Sequence, residues 1–114
     1  MDRKHMVDLD DVVKKFVREL GKRNIHPEQI ILYGSYATDT ANEWSDIDLI
    51  VISKDFEKIS PVERLTLLSY AAWPVQAGIE AQGYTPQEIA EHGKDSILWE
   101  EIQKNHRVLY KTAA

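Results

Sequence analysis

The segment Ser45-Asp46-Ile47-Asp48-Leu49-Ile50-Val51-Ile52-Ser53 narrows the possible folds more than any other part of the chain. Ile47, Leu49, Ile50, Val51 and Ile52 place apolar side chains on both faces of an extended backbone. Such a strand cannot face water on either side, so it must lie centrally in a sheet covered by helices. The segment also begins with two carboxylates, Asp46 and Asp48, on one face.

The flanking sequence supplies the rest of an α+β domain. Leu9, Val12, Val13, Phe16, Val17 and Leu20 recur at helical spacing and predict an amphipathic helix from about Asp8 to Leu20, stopped at Gly21. Gln29 to Tyr33 is a short apolar run ending at Gly34, which reads as a strand. Ser60-Pro61-Val62-Glu63 is a capping box with proline at the first helical position. The helix it opens is expected to turn Val62, Leu65, Leu68 and Ala72 inward and to end near Trp73-Pro74. Val75 to Tyr84 alternates, with Ala77, Ile79 and Ala81 on one side and Gln76, Gly78, Glu80 and Gln82 on the other; that predicts a half-exposed strand. A second capping box, Thr85-Pro86-Gln87-Glu88, opens a short helix ending at His92-Gly93. A last helix, near Asp95 to Lys104, is expected to bury Ile97, Leu98 and Ile102, and Arg107 to Tyr110 to add an edge strand. The expected fold is a small mixed sheet with helices packed on one face, in a single domain spanning residues 1–114.

Composition excludes several functions. The chain has no cysteine, which removes disulfides, thiolate metal sites and a cysteine nucleophile. Its formal net charge is −5, contrary to the basic footprint of most nucleic-acid binders. No apolar run approaches the ~20 residues that span a bilayer, and the N-terminus lacks a signal-peptide core. The expectation is a cytoplasmic protein. His5-Met6 also reads as a cloning remnant. The four histidines show no ligand spacing, and Trp44, Trp73 and Trp99 read as core or partner contacts.

The chemistry concentrates around Gly34-Ser35 and Asp46-Ile47-Asp48. A Gly-Ser turn after a strand lets backbone N–H groups and the Ser35 hydroxyl approach an anion. Two carboxylates on one strand face repel each other unless a cation lies between them, and Mg²⁺ prefers one or two carboxylates together with phosphate oxygens. Each feature alone is ordinary; a phosphate seat beside a pair of metal carboxylates describes a site for a nucleoside triphosphate. Glu80 is the best candidate for a third carboxylate, able to share a two-metal site and to accept a proton from an attacking hydroxyl. That role requires its strand to lie beside the one carrying Asp48.

Gly34-Ser35, ten residues, then Asp46-Ile47-Asp48 resembles the signature of the DNA polymerase β-like nucleotidyltransferase superfamily. Within it, the chain resembles the minimal nucleotidyltransferases, commonly antitoxin partners of HEPN-type toxins. The resemblance runs from the first helix to Val108-Leu109-Tyr110. It implies the polymerase β-like palm fold, Mg²⁺ on Asp46 and Asp48, and the triphosphate of ATP on Gly34 and Ser35. It also implies a third carboxylate shortly before a Tyr-Thr-Pro segment, here Glu80 before Tyr84-Thr85-Pro86. The implied reaction transfers AMP from ATP to a tyrosine hydroxyl of a HEPN-type toxin. Relatives often carry a basic residue and then glycine where this chain has Thr38 and Asp39. That departure leaves open a module that neutralises its partner by binding alone. A small-molecule adenylyltransferase resembling the aminoglycoside-modifying members is a further alternative.

Overall fold

The computed structural model describes residues 8–42, 44–92 and 97–112. Four helices, α1 (Leu9–Lys22), α2 (Pro61–Ala72), α3 (Pro86–His92) and α4 (Ile97–Lys104), combine with four strands, β1 (Gln29–Tyr33), β2 (Ile47–Ile52), β3 (Ile79–Tyr84) and β4 (Arg107–Lys111). The sheet order is β3-β2-β1-β4. β1 runs antiparallel to both β2 and β4, and β2 runs parallel to β3. The α+β class, the mixed sheet and the edge strand at the C-terminal side are therefore as the sequence reads. The suspected remnant His5-Met6 and the residues Gly93 and Asp95 lie outside the described residues.

Period-two alternation divides the core. Ile47, Leu49 and Val51 of β2 join Ile30 and Leu32 of β1 under Val12, Val13, Phe16 and Leu20 of α1 and Leu68 and Ala71 of α2. Ile50 and Ile52 point the other way, with Ile31, against Trp99 and Ile102 of α4. The helices thus do not all lie on one face. A strand as apolar as β2 has to be sealed on both sides, and α4 supplies a thin second cover. Of the residues expected to be buried in this last helix, Ile102 is buried; the side chains of Ile97 and Leu98 lie outside those described.

Local chemistry sets the boundaries. Asp8 caps α1 by accepting from Asp11 N–H at 3.2 Å. The stop comes at Asn24, which adopts a left-handed φ of 63°, not at Gly21. Asn24 N–H donates to Gly21 O and Ile25 N–H to Leu20 O, each at 3.0 Å, closing the orphan carbonyls of the last turn. Ser60 caps α2, its hydroxyl accepting from Glu63 N–H at 3.3 Å. The inward face of α2 differs from expectation: Arg64, Leu68 and Ala71 are buried, while Val62 and Leu65 are exposed. β3 begins at Ile79 and not at Val75, because Trp73–Val75 forms a 3₁₀ turn. Gln76 and Gly78, at φ 55° and 66°, then turn the chain with left-handed geometry that a strand does not use.

Candidate active site

The expected site residues meet where β1 ends and β2 and β3 begin. β1 delivers Gly34 and Ser35 into a single 3₁₀ turn, Gly34–Tyr36, whose N-terminal end has no side-chain cap. Gly34 has φ 73°, and a Cβ there would run into the carboxylate of Asp48. Only glycine permits this approach, for both reasons. Asp46 is exposed just ahead of β2, and Asp48 is half-buried on it. In the parallel pairing Asp48 lies directly opposite Glu80, and in the antiparallel pairing it lies opposite Tyr33. The strand bearing Glu80 therefore lies beside the one bearing Asp48. Neighbouring strands are ~4.8 Å apart, and paired residues share a face.

Their electrostatics agree with the geometry. Burial pushes the Asp48 carboxyl above its ordinary pKa, and the charges of Glu80 and then Asp46 push it further. Tyr33 is pushed up to about 12 by burial and by Asp48, Glu80 and Tyr84, against a lowering hydrogen bond from Gln82. Its phenol thus stays neutral and acts as a hydrogen-bonding wall. Gln82 Nε2 donates to the Tyr33 hydroxyl at 3.3 Å, and the Tyr84 hydroxyl donates to Gln82 Oε1 at 3.0 Å. Among the described residues no Lys, Arg or His forms an ion pair with Asp46, Asp48 or Glu80. Nor do any three His, Asp or Glu side chains among them close into a ready cage for an ion. The three carboxylates bring like charge together with no ion-paired cation among the described residues, and their donors are hard oxygens. That set fits a hard divalent cation shared with phosphate oxygens, which need not be caged by protein alone.

A cleft of about 360 Å³ opens beside the turn, lined by Tyr33, Gly34, Ser35, Thr38, Thr40, Ile102 and Asn105. Tyr33, Thr40, Ile102 of α4 and Asn105 just after it carried no signal in the sequence as site residues. They reach the cleft through tertiary packing. Thr38 Oγ1 donates to the carbonyls of Gly34 and Ser35, each at 3.4 Å, and lies 2.9 Å from Thr40 Oγ1. Thr38 thus tethers the turn from behind. Asp39 holds a left-handed φ of 59°, the conformation that glycine takes most freely.

Comparison with known proteins bears on the family and the fold. The family described as Nucleotidyltransferase domain matches residues 11–110. The chain belongs to that family. Its members are transferases, and the turn, the two aspartates and Glu80 all fall inside the matched span. A candidate protein adenylyltransferase of Methanocaldococcus jannaschii is 44% identical over 59 residues, 51% of this chain. The match spans only 38% of that relative's length. Among solved structures, a candidate nucleotidyltransferase from Sulfolobus solfataricus superposes with a TM-score of 0.61 at 18% identity, over 90% of this chain and 79% of that one. A toxin–antitoxin structure with AMP-PNP gives a TM-score of 0.60 at 20% identity, over 91% and 74%. An MntA–HpeT toxin–antitoxin variant gives 0.56 at 16%, over 91% and 74%. These likenesses show the fold. No helix among the described residues is long and apolar enough to cross a membrane.

Proposed function

We propose that this domain is a cytoplasmic protein adenylyltransferase that moves AMP from ATP onto a tyrosine hydroxyl of a HEPN-type toxin, and so acts as its antitoxin. The observation that carries the reading is the β2–β3 register, which puts Glu80 opposite Asp48 while the Gly34 turn packs onto the same carboxylate. Gly34 and Ser35 offer backbone N–H groups and a hydroxyl to the triphosphate. Asp46, Asp48 and Glu80 would hold Mg²⁺, which supplies charge neutralisation at the α-phosphate and the departing pyrophosphate. Glu80, exposed at the site's edge, accepts the proton of the acceptor hydroxyl as its oxygen bonds to the α-phosphorus and the bond to the bridging oxygen breaks. Tyr33 and Gln82 wall the site without competing as nucleophiles. The names of the relatives support the choice of acceptor: one is a candidate protein adenylyltransferase, and others are toxin–antitoxin assemblies.

A second reading has its own observation. The turn from Gly34 to Thr40 carries no cation, and Asp39 adds a negative charge to it. That favours an antitoxin that neutralises by binding, with a weakened nucleotide site. Incubating the chain with labelled ATP, Mg²⁺ and the protein encoded by the neighbouring gene separates the two. Label on a tyrosine of the neighbour is the expected result; a stable complex without label favours binding alone and overturns the transferase reading.

A further inference from the structure

We propose that the free edge of β3 is a docking edge for the acceptor protein: an extended segment of that protein adds to β3 as a fifth strand and delivers its hydroxyl-bearing side chain to Glu80. The inference rests on the adenylyl-transfer reading and specifies how the protein substrate is held.

β3 is an outer strand of the sheet. Ile47 N–H donates to Gly78 O and Ser53 N–H to Tyr84 O, each at 2.9 Å. In a parallel ladder the backbone groups alternate, so Gly78, Glu80, Gln82 and Tyr84 face β2, and Ile79, Ala81 and Gly83 face outward. Arg64 marks that direction, because its Nη1 donates from α2 to Gly83 O at 3.3 Å. Ile79 and Ala81 therefore present an N–H and a C=O each to the outside, and Gly83 presents an N–H. Edges of this kind are ordinarily blunted by lysine, proline or a bulge; Ile79 to Tyr84 contains none of these.

Two clefts of about 410 Å³ each follow the edge. One sets Ser69 and Trp73 against Gln76 and Gly78; the other sets Pro61 and Leu65 against the stretch Glu80 to Tyr84. Their far wall is α2 and the turn that follows it, where Leu65 and Trp73 line the clefts and are 51% and 78% exposed. An open edge beside an aromatic and aliphatic stripe is the form that strand addition uses, with backbone bonds giving affinity and side-chain pockets giving selectivity. The edge also leads to the chemistry, since Glu80 lies on it with its side chain on the Asp48 face of the sheet, opposite α2. A residue of the added strand in register with Glu80 shares its face and lies ~5 Å from it.

Charge defines the occupant further. Arg64, the groove's cation, is already bound by Glu88 at 2.7 Å, whereas Glu80 has no ion pair among the described residues. The segment that fits carries a lysine or arginine two residues from its hydroxyl residue, because only alternate residues of a strand share a face.

The test uses the full chain and the purified product of the neighbouring gene. Backbone hydrogen exchange is followed with and without that protein, and AMP transfer is measured for Leu65→Lys, Trp73→Ala and Ala81→Pro. The proline removes an outward N–H without touching the β2 ladder; the other two lie on exposed positions and keep the fold if it does not. The expected result is slowed exchange at Ile79 and Ala81, and a KM for the protein acceptor raised tenfold or more in the variants with ATP affinity unchanged. Transfer that continues with normal KM and no protection along β3 overturns the docking edge and leaves the enzyme reading standing. Protection of β3 without any AMP transfer supports the edge and overturns the transferase reading. Protection that appears with the chain alone, with doubling of its mass in solution, assigns the edge to a second copy and overturns the partner assignment.

Discussion

The two ends of the β2–β3 pair hold charged and polar groups in opposite ways. At the end where β2 and β3 finish, the buried polar groups Ser53, Arg64 and Thr85 are answered. Ser53 Oγ donates to His26 O at 2.9 Å, and Asp55 accepts from His26 N–H at 2.7 Å. Arg64, only 5% exposed, donates to Ile59 O, Phe56 O and Glu88 at 2.8, 2.8 and 2.7 Å and lies over the Phe56 ring. At the end where they begin, Asp46, Asp48 and Glu80 face one another without a cation among the described residues. One end converts buried charge into fixed structure. The other leaves charge uncompensated, as the proposed metal and nucleotide would require. On that reading stability and function are separated along a single pair of strands.

Variants at the open end should lose activity and keep the fold. Asp48→Asn is expected to lower AMP transfer by about 10³-fold or more, since charge stabilisation by a held metal amounts to several kcal/mol. Its apo form should melt no lower than the parent, because the substitution relieves repulsion from Glu80 and Asp46. A clear fall in Tm would mean that Asp48 is structural. Glu80→Gln should reduce turnover by about 10²–10⁴-fold while changing ATP affinity less than Asp48→Asn does. Unchanged turnover would move the proton acceptor to the partner or to one of the aspartates.

The closed end should respond in the reverse sense. Arg64→Met removes a donor from Glu88 and from three backbone carbonyls; water reaches the 34% exposed Glu88 side chain, so the cost is about 1–3 kcal/mol. Urea unfolding should show it as a lower midpoint. The same pair gives a smaller, pH-linked effect. Burial pushes the Glu88 carboxyl up, but the Arg64 hydrogen bond and the two from Thr85 outweigh it, and its pKa falls below 4.5 overall. A lowered folded-state pKa contributes stability that is complete above the unfolded value and is lost as pH falls through the folded one. Melting curves from pH 6 to pH 3 should therefore steepen below about 4.3, and Arg64→Met should remove that part of the slope. Asp39→Gly should have the smallest effect on the fold: relief at φ 59° is offset by the backbone entropy of glycine, leaving about 0.5 kcal/mol or less. It should tighten ATP binding at low salt and less so at high salt. Calorimetric titration at two ionic strengths measures both.

What the sequence revealed follows from the range of the forces involved. The helix caps are local, and both hold: Thr85 and Glu88 close a full capping box at 2.8 and 3.0 Å, while the Ser60 hydroxyl accepts from Glu63 N–H at 3.3 Å and donates to the Glu63 carboxylate at 3.0 Å. The two-faced apolar run and the polar side of β3 were legible because strand period is strict. The inward face of α2 was not. Helical spacing points Val62 and Leu65 to the core, yet Arg64 takes the buried position because its partners, Phe56 O, Gly83 O and Glu88, come from other elements. The tryptophans divide in the same way: Trp99 is buried against Tyr84, while Trp44 and Trp73 are exposed. At the site, Gly34, Asp46, Asp48 and Glu80 were legible by residue type. Tyr33, Thr40 and Asn105 were not, since only the packed fold brings them to the cleft.

The parallel pairing of Asp48 with Glu80 has a kinetic consequence as well. β1 and β2 can pair as a local hairpin as soon as both exist, bringing Gly34 to Asp48. β3 can join only after α2 has crossed the sheet, and such non-local pairing is slow because loop closure comes before its reward. A chain emerging from the ribosome thus holds the Gly34 turn and both aspartates well before Glu80 arrives. On the proposed mechanism competence to transfer would come only with completed folding, and a half-made copy would have no means of modifying whatever it meets.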